Sequence, residues 1–366
     1  MNGLTWLRAI AAVVVIFSHV IRAAESNYIG FDSITVPTWF RFLDLGTFGV
    51  LLFFTLSGTT LYISSVAKTT SNIDFLIRRF FRIWPAFAFA LFIYISFRFV
   101  FNIFYTNLSD NWIEGQFTDS YSVLIIFQYL SLTSNFYAPA GLFNNAFWSL
   151  PVEFQYYLCF PILMVLTRLF GIYGPLGFGL FLYSIYKFQL INVVDTKVFM
   201  LGFSFCFGVA IGHLHHNRKK LFKIPASGLC LFSIFVIASL ITTFPFSLPD
   251  LPVISGIWNC YMILAALAVY LVLFNEPKLP NWIMPSLLRL GDISYSLYLL
   301  HNIVIASVLI IFMQLSFMDG IAPFFVMLIL SIGITIYISI YSYEKIEKPG
   351  MNFGRIVVKK LKRDAE

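Results

Sequence analysis

Charge is what this chain of 366 residues has least of: Asp, Glu, Lys and Arg together make up 11%, against roughly 25% in a soluble domain. So few charges cannot cover a water-facing surface of this size, which argues against an ordinary soluble enzyme. The four cysteines, Cys159, Cys206, Cys230 and Cys260, each lie inside an apolar run without paired ligand spacing. That excludes a disulfide scaffold and a cysteine-based zinc module. No internal repeat or low-complexity tract is present, and the longest polar connection, 106–147, is too short for a separate catalytic domain. No nucleic-acid module with interleaved aromatic and basic residues is visible. The excess of 24 Lys+Arg over 17 Asp+Glu therefore reads as membrane topology, not nucleic-acid binding.

What is abundant is apolar: hydrophobic residues are 59% and aromatics 19%, with 43 Phe. Runs of about 20 apolar residues predict helices near 4–23, 46–66, 82–105, 147–168, 173–190, 195–213, 226–244, 254–274, 291–314 and 321–343. The expectation is an all-α polytopic membrane protein of about ten transmembrane helices with both termini cytoplasmic. With that orientation, segments 68–82, 168–174, 213–223, 276–289 and the C-terminal end lie inside and hold most of the basic residues, as the positive-inside rule requires. The apolar stretch 121–132 is too short to span and is expected to be interfacial or re-entrant. Arg22 stands where a signal-peptidase site would need a small residue, and His19 interrupts the apolar core, so the first helix is expected to be uncleaved. Two units follow: a membrane domain over 1–345 and a basic cytoplasmic tail over 346–366.

The few ionisable residues inside these runs are the natural candidates for chemistry. Arg8 and His19 lie eleven positions apart on the first helix. At 3.6 residues per turn this is about three turns, so both leave one face with roughly 16 Å of axis between them. An interfacial anchor plus a hydrogen-bonded histidine explains this pair as well as a functional site does. Glu153, in Phe147-Trp148-Ser149-Leu150-Pro151-Val152-Glu153, falls roughly 9 Å below the outer interface, and His301 about 15–18 Å in from the inner one. Burying His19, Glu153 and His301 singly is expensive, so they are expected to pair or to face a water-filled cavity. Imidazole takes a hydroxyl proton near neutral pH and a carboxylate can orient it. The same cluster would serve a proton-coupled transporter, and the residues alone leave both readings open.

Arg78, Arg79 and Arg82 stand at helical i, i+3 and i+4 spacing in Phe75-Leu76-Ile77-Arg78-Arg79-Phe80-Phe81-Arg82. They suit either a phosphorylated ligand or positive-inside anchoring. The small residues of Gly46 to Gly58 let helices approach closely and bring Ser57 to mid-depth, without the Gly-x-Ser-x-Gly elbow of a nucleophile. His213, His215 and His216 precede Arg218-Lys219-Lys220 and lack a nearby Cys or carboxylate, so no metal is expected there.

Taken in order, Leu7-Arg8-Ala9-Ile10-Ala11-Ala12 leading to His19, Gly49 to Gly58, Arg78-Arg79-Phe80-Phe81-Arg82, Phe147 to Glu153 with Tyr157, and Leu290 to His301 resemble the acyltransferase-3 family of membrane-bound acyltransferases. That family includes O-acetylases of O-antigen and other surface polysaccharides, and the likeness spans nearly the whole chain. It implies acyl-coenzyme A, usually acetyl-CoA, as donor substrate, with no permanently bound cofactor. It further implies a glycan or lipid-linked saccharide as acceptor and residence in a bacterial inner (cytoplasmic) membrane. On this likeness the membrane domain 1–345 is the acyltransferase domain. Arg8, Arg78, Arg79 and Arg82 would hold the donor, His19 would be the general base, and Glu153 and His301 would orient or charge it. Ser57 and Tyr157 would give support. The chain departs from the family in one place: Glu153 is followed by Phe154, where two acidic residues are common. It is also expected to lack the extracytoplasmic hydrolase-like domain that some members carry.

Overall fold

The computed structural model describes residues 2–26, 33–67, 71–104, 112–113, 121–137, 142–191, 193, 195–217, 227–243, 253–275 and 279–364. Every element among them is helical: α1 (Asn2–Ala24), α2 (Gly46–Val66), α3 (Asn72–Phe104), α4 (Val123–Leu130), α5 (Ser134–Tyr137), α6 (Ser149–Phe170), α7 (Tyr173–Lys187), α8 (Lys197–Met200), α9 (Gly202–His216), α10 (Ser227–Thr243), α11 (Val253–Asn275), α12 (Met284–Asp292), α13 (Ser294–Gln314), α14 (Ala322–Ser342) and α15 (Lys348–Arg363). Short 3₁₀ and π turns lie at Thr38–Leu43 and Tyr343–Glu347. In hydrocarbon a helix satisfies its backbone polar groups within one segment, which is why a sequence this apolar takes this form.

Eight helices among the described residues are long and apolar enough to cross a membrane, and the protein is a multi-pass membrane protein. Ten were expected. The other two expected windows form α7 and α10, of 15 and 17 residues, and at 1.5 Å per residue these reach about 22 and 26 Å of a roughly 30 Å core. The 121–132 stretch forms only the eight-residue α4, capped by Ser122 and held to α3 where the Trp84 indole donates to the Leu130 carbonyl at 2.9 Å.

Helix α2 is the pillar of the bundle, packed against α1, α9 and α11. Glycine makes this closeness feasible. A Cβ on Gly58 would lie 2.2 Å from the Phe205 carbonyl oxygen, and one on Gly208 would lie 2.1 Å from that of Thr55. Without lipid–helix contrast to drive association, such backbone approach supplies the van der Waals and hydrogen-bond contact that holds membrane helices together. Thr59 Oγ1 adds a bond to the Gly208 carbonyl at 3.0 Å.

One helix boundary differs from expectation. Helix α3 begins at Asn72 and runs through Pro85, so the arginines sit on a continuous helix, not in a loop ahead of one. A proline breaks a helix by freeing the carbonyl four residues back and by its bulk; here Gly350 of α15 rests on the Pro85 ring and beside the Phe81 carbonyl. The segment from 346 onward, expected as a tail, remains docked on the bundle. Glu347 is buried and accepts from Ser296 Oγ at 2.8 Å, α15 packs on α3, and Lys362 pairs with Asp74 at 2.9 Å.

Candidate active site

The arginine motif and Glu153 meet. A cavity of about 70 Å³ is lined by Arg8 of α1, Arg79 and Arg82 of α3, Ser57 of α2, and Glu153 and Tyr157 of α6. Arg79 and Arg82 are three positions apart and so share a face. Arg78, one position away, does not line this cavity. Arg8 donates to Thr60 Oγ1 at 2.9 Å, which fixes one side of its guanidinium fork. Glu153 Oε1 accepts from Ser57 Oγ at 2.8 Å and from the Tyr157 hydroxyl at 2.5 Å, and these two hydroxyls are themselves 2.9 Å apart. Glu153 and Tyr157 are a helical turn apart, so α6 alone positions both. One carboxylate among three guanidiniums leaves a net positive cavity suited to an anionic ligand.

The histidines meet elsewhere. His19 lines a second cavity of about 250 Å³ with Ser18, Trp112, Trp148 and Lys197. Its ring lies 5.0 Å, centre to centre, from that of the fully buried His301 of α13. His301 Nδ1 is 3.2 Å from the Leu297 carbonyl. A carbonyl can only accept, so Nδ1 carries the hydrogen and Nε2 of the neutral ring holds the lone pair. That Nε2, and Nδ1 of His19, are buried with no hydrogen-bond partner among the described residues. At the mouth, Ser18 donates to Asp44, Arg22 pairs with Asp44 at 3.2 Å, and Lys197 pairs with Asp195 at 2.8 Å while lying 5.0 Å above the Trp148 ring.

The expected contact of Glu153 with His19 is therefore corrected. Helical rise placed the two at similar depth, but depth leaves the direction around the bundle undetermined. Glu153 points to α2 and the arginines, and the neighbour His19 acquires is His301. The sequence reading missed Thr60, Ser149 and Tyr298. Thr60 is one turn beyond Ser57, and Tyr298 three positions before His301, so face-sharing was the signal available. His213, one of the three clustered histidines, is bonded to the Tyr62 hydroxyl at 2.7 Å.

The protein is thus a multi-pass helical bundle with a basic interior cavity and, apart from it, a cavity beside paired histidines. The profile of the acyltransferase domain matches residues 1–343, and the chain belongs to the acyltransferase-3 family; it is an acyltransferase acting on a hydroxyl acceptor. No curated protein and no solved structure matches it.

Proposed function

We propose that the protein transfers an acyl group, acetyl foremost, from acyl-coenzyme A to a hydroxyl of a cell-surface or lipid-linked glycan in a bacterial inner membrane. The observation that carries this reading is the convergence of Arg8, Arg79 and Arg82 on one cavity, with Arg8 on the same helix α1 that bears His19. Guanidinium forks match phosphate oxygens bidentately, and coenzyme A is a polyphosphate on a long flexible arm. Some 16 Å of α1 separates Arg8 from His19, a span such an arm covers.

Glu153, held by Ser57 and Tyr157, offsets part of the positive charge of the three arginines that line the same cavity. Its role is on the donor side. At the other cavity the imidazole of His19 accepts the proton of the acceptor hydroxyl as that oxygen attacks the thioester carbonyl. The new C–O bond forms, the C–S bond breaks, and the departing thiolate takes the proton back from the imidazolium. His301, packed on His19, holds the ring in place and provides a second nitrogen for proton relay. Trp112 and Trp148 offer flat apolar faces beside polar groups, a combination that suits a saccharide ring.

Labelled acetyl-CoA supplied to the purified protein in lipid nanodiscs with an acceptor glycan tests the reading. Label is expected to pass to the glycan and to be lost in His19→Ala. Movement of glycan or donor without acylation would overturn it in favour of a transporter. Mass spectrometry of surface glycans from cells with and without the protein identifies the acceptor by the mass of one acetyl group.

A further inference from the structure

The arginine-lined and histidine-lined cavities have two lining residues in common among those described, Val50 of α2 and Tyr298 of α13. We propose that these two side chains form a neck that sorts the acyl group by size, passing a short acyl chain to His19 and refusing longer ones. The proposal rests on the acyl-CoA reading above. With the phosphates held at Arg8, Arg79 and Arg82, the acyl end of the arm leads, so it is the part of the donor that meets the neck.

Neither wall can retreat easily. Val50 follows Gly49, where α2 lies so close to α1 that a Cβ would stand 2.9 Å from the Ala11 carbonyl oxygen. The Tyr298 hydroxyl donates to the Ala146 carbonyl at 2.7 Å and meets Ser149 Oγ at 2.7 Å. The Tyr298 ring is backed by His301, 5.9 Å away centre to centre, and by Phe53 at 6.1 Å. Both residues are buried, at 6% and 7% exposure, so the constriction is set by packed side chains. In a fitted apolar site each added methylene changes the rate by ~10–200-fold.

Transfer from acetyl-, propionyl-, butyryl- and hexanoyl-CoA, measured on the full-length protein in nanodiscs, tests the neck. Wild type is expected to lose ~10-fold or more per added methylene. Val50→Ala widens the neck and Tyr298→Phe unties it, and each is expected to raise transfer of the longer chains relative to acetyl. Val50→Phe is expected to abolish acetyl transfer while coenzyme A still binds by calorimetry. A chain-length profile unchanged in both widening variants, or full acetyl transfer by Val50→Phe, would overturn the neck and leave the donor reading intact. A wild type that transfers from no acyl-CoA would overturn the donor reading itself, and the neck with it.

Discussion

Replacing Gly208 by Ala adds one methyl group at one of the two tightest glycine contacts of the bundle. Its Cβ would stand 2.1 Å from the Thr55 carbonyl oxygen and 2.9 Å from the Thr59 amide nitrogen. Both are backbone atoms, so α2 and α9 must part by about 1 Å, a gap that forfeits a quarter to a half of each dispersion contact along the face. Overpacking of this kind costs ~1–3 kcal/mol. The bond from Thr59 Oγ1 to the Gly208 carbonyl goes too, worth ~0.6 kcal/mol within a membrane. Alanine returns up to ~1 kcal/mol through helix propensity, so with that gain taken in full the net expectation is a loss of ~0.6–2.6 kcal/mol. Gly333→Ala is the control, because nothing lies within 4 Å of its added Cβ and only the propensity gain remains. Denaturant titration of both variants in detergent micelles, followed by circular dichroism, should move their midpoints in opposite directions. Equal midpoints for the two variants would refute the close-packing account of α2 and α9. Because α2 also carries Val50, Ser57 and Thr60, a displacement of this size is expected to cost ~10²-fold in acyl transfer.

The site makes further predictions. His19→Gln, which keeps size but not the base, should lower transfer by ~10²–10⁴-fold with donor binding unchanged, as read by calorimetry with coenzyme A beside a label-transfer assay. Arg79→Ala and Arg82→Ala each remove charged hydrogen bonds worth ~1.5–3 kcal/mol and should raise donor KM by ~10–150-fold; Arg78→Ala should leave it unchanged. Tyr157→Phe takes one bond of ~1 kcal/mol from Glu153 and should weaken donor binding about fivefold, whereas an effect confined to kcat would move Tyr157 to the chemical step. Glu153→Gln keeps an oxygen for Ser57 and Tyr157 while removing the charge, so it should alter donor KM in low salt more than in high salt.

Much of this protein was legible from the residues alone. Segments of about 20 apolar residues in a chain with 11% charge admit one answer, since only a helix closes its own hydrogen bonds in lipid; each expected window is helical over most of its described residues. The spacing of Arg8 and His19 on α1 is likewise a local property, fixed by 3.6 residues per turn. The small-residue run of α2 announced close packing, and Gly49 and Gly58 take that role.

What required the tertiary structure was everything that depends on direction around the bundle. Helical rise measures depth along one axis and carries no azimuth, so Glu153 and His19 seemed natural partners until α6 was seen to turn Glu153 toward Ser57 and the arginines. Arg78 and Arg79 are neighbours in sequence, yet about 100° apart on the helix, and only the packing of α3 decides which one meets the cavity. The apolar window placed the helix start near residue 82, but α3 begins at Asn72 and runs through Pro85, against which Gly350, 265 residues further along the chain, is packed. Membership of the two cavities, and the pair Val50 and Tyr298 between them, has no local signature, because those residues are joined by nothing except the way five or six helices stand together.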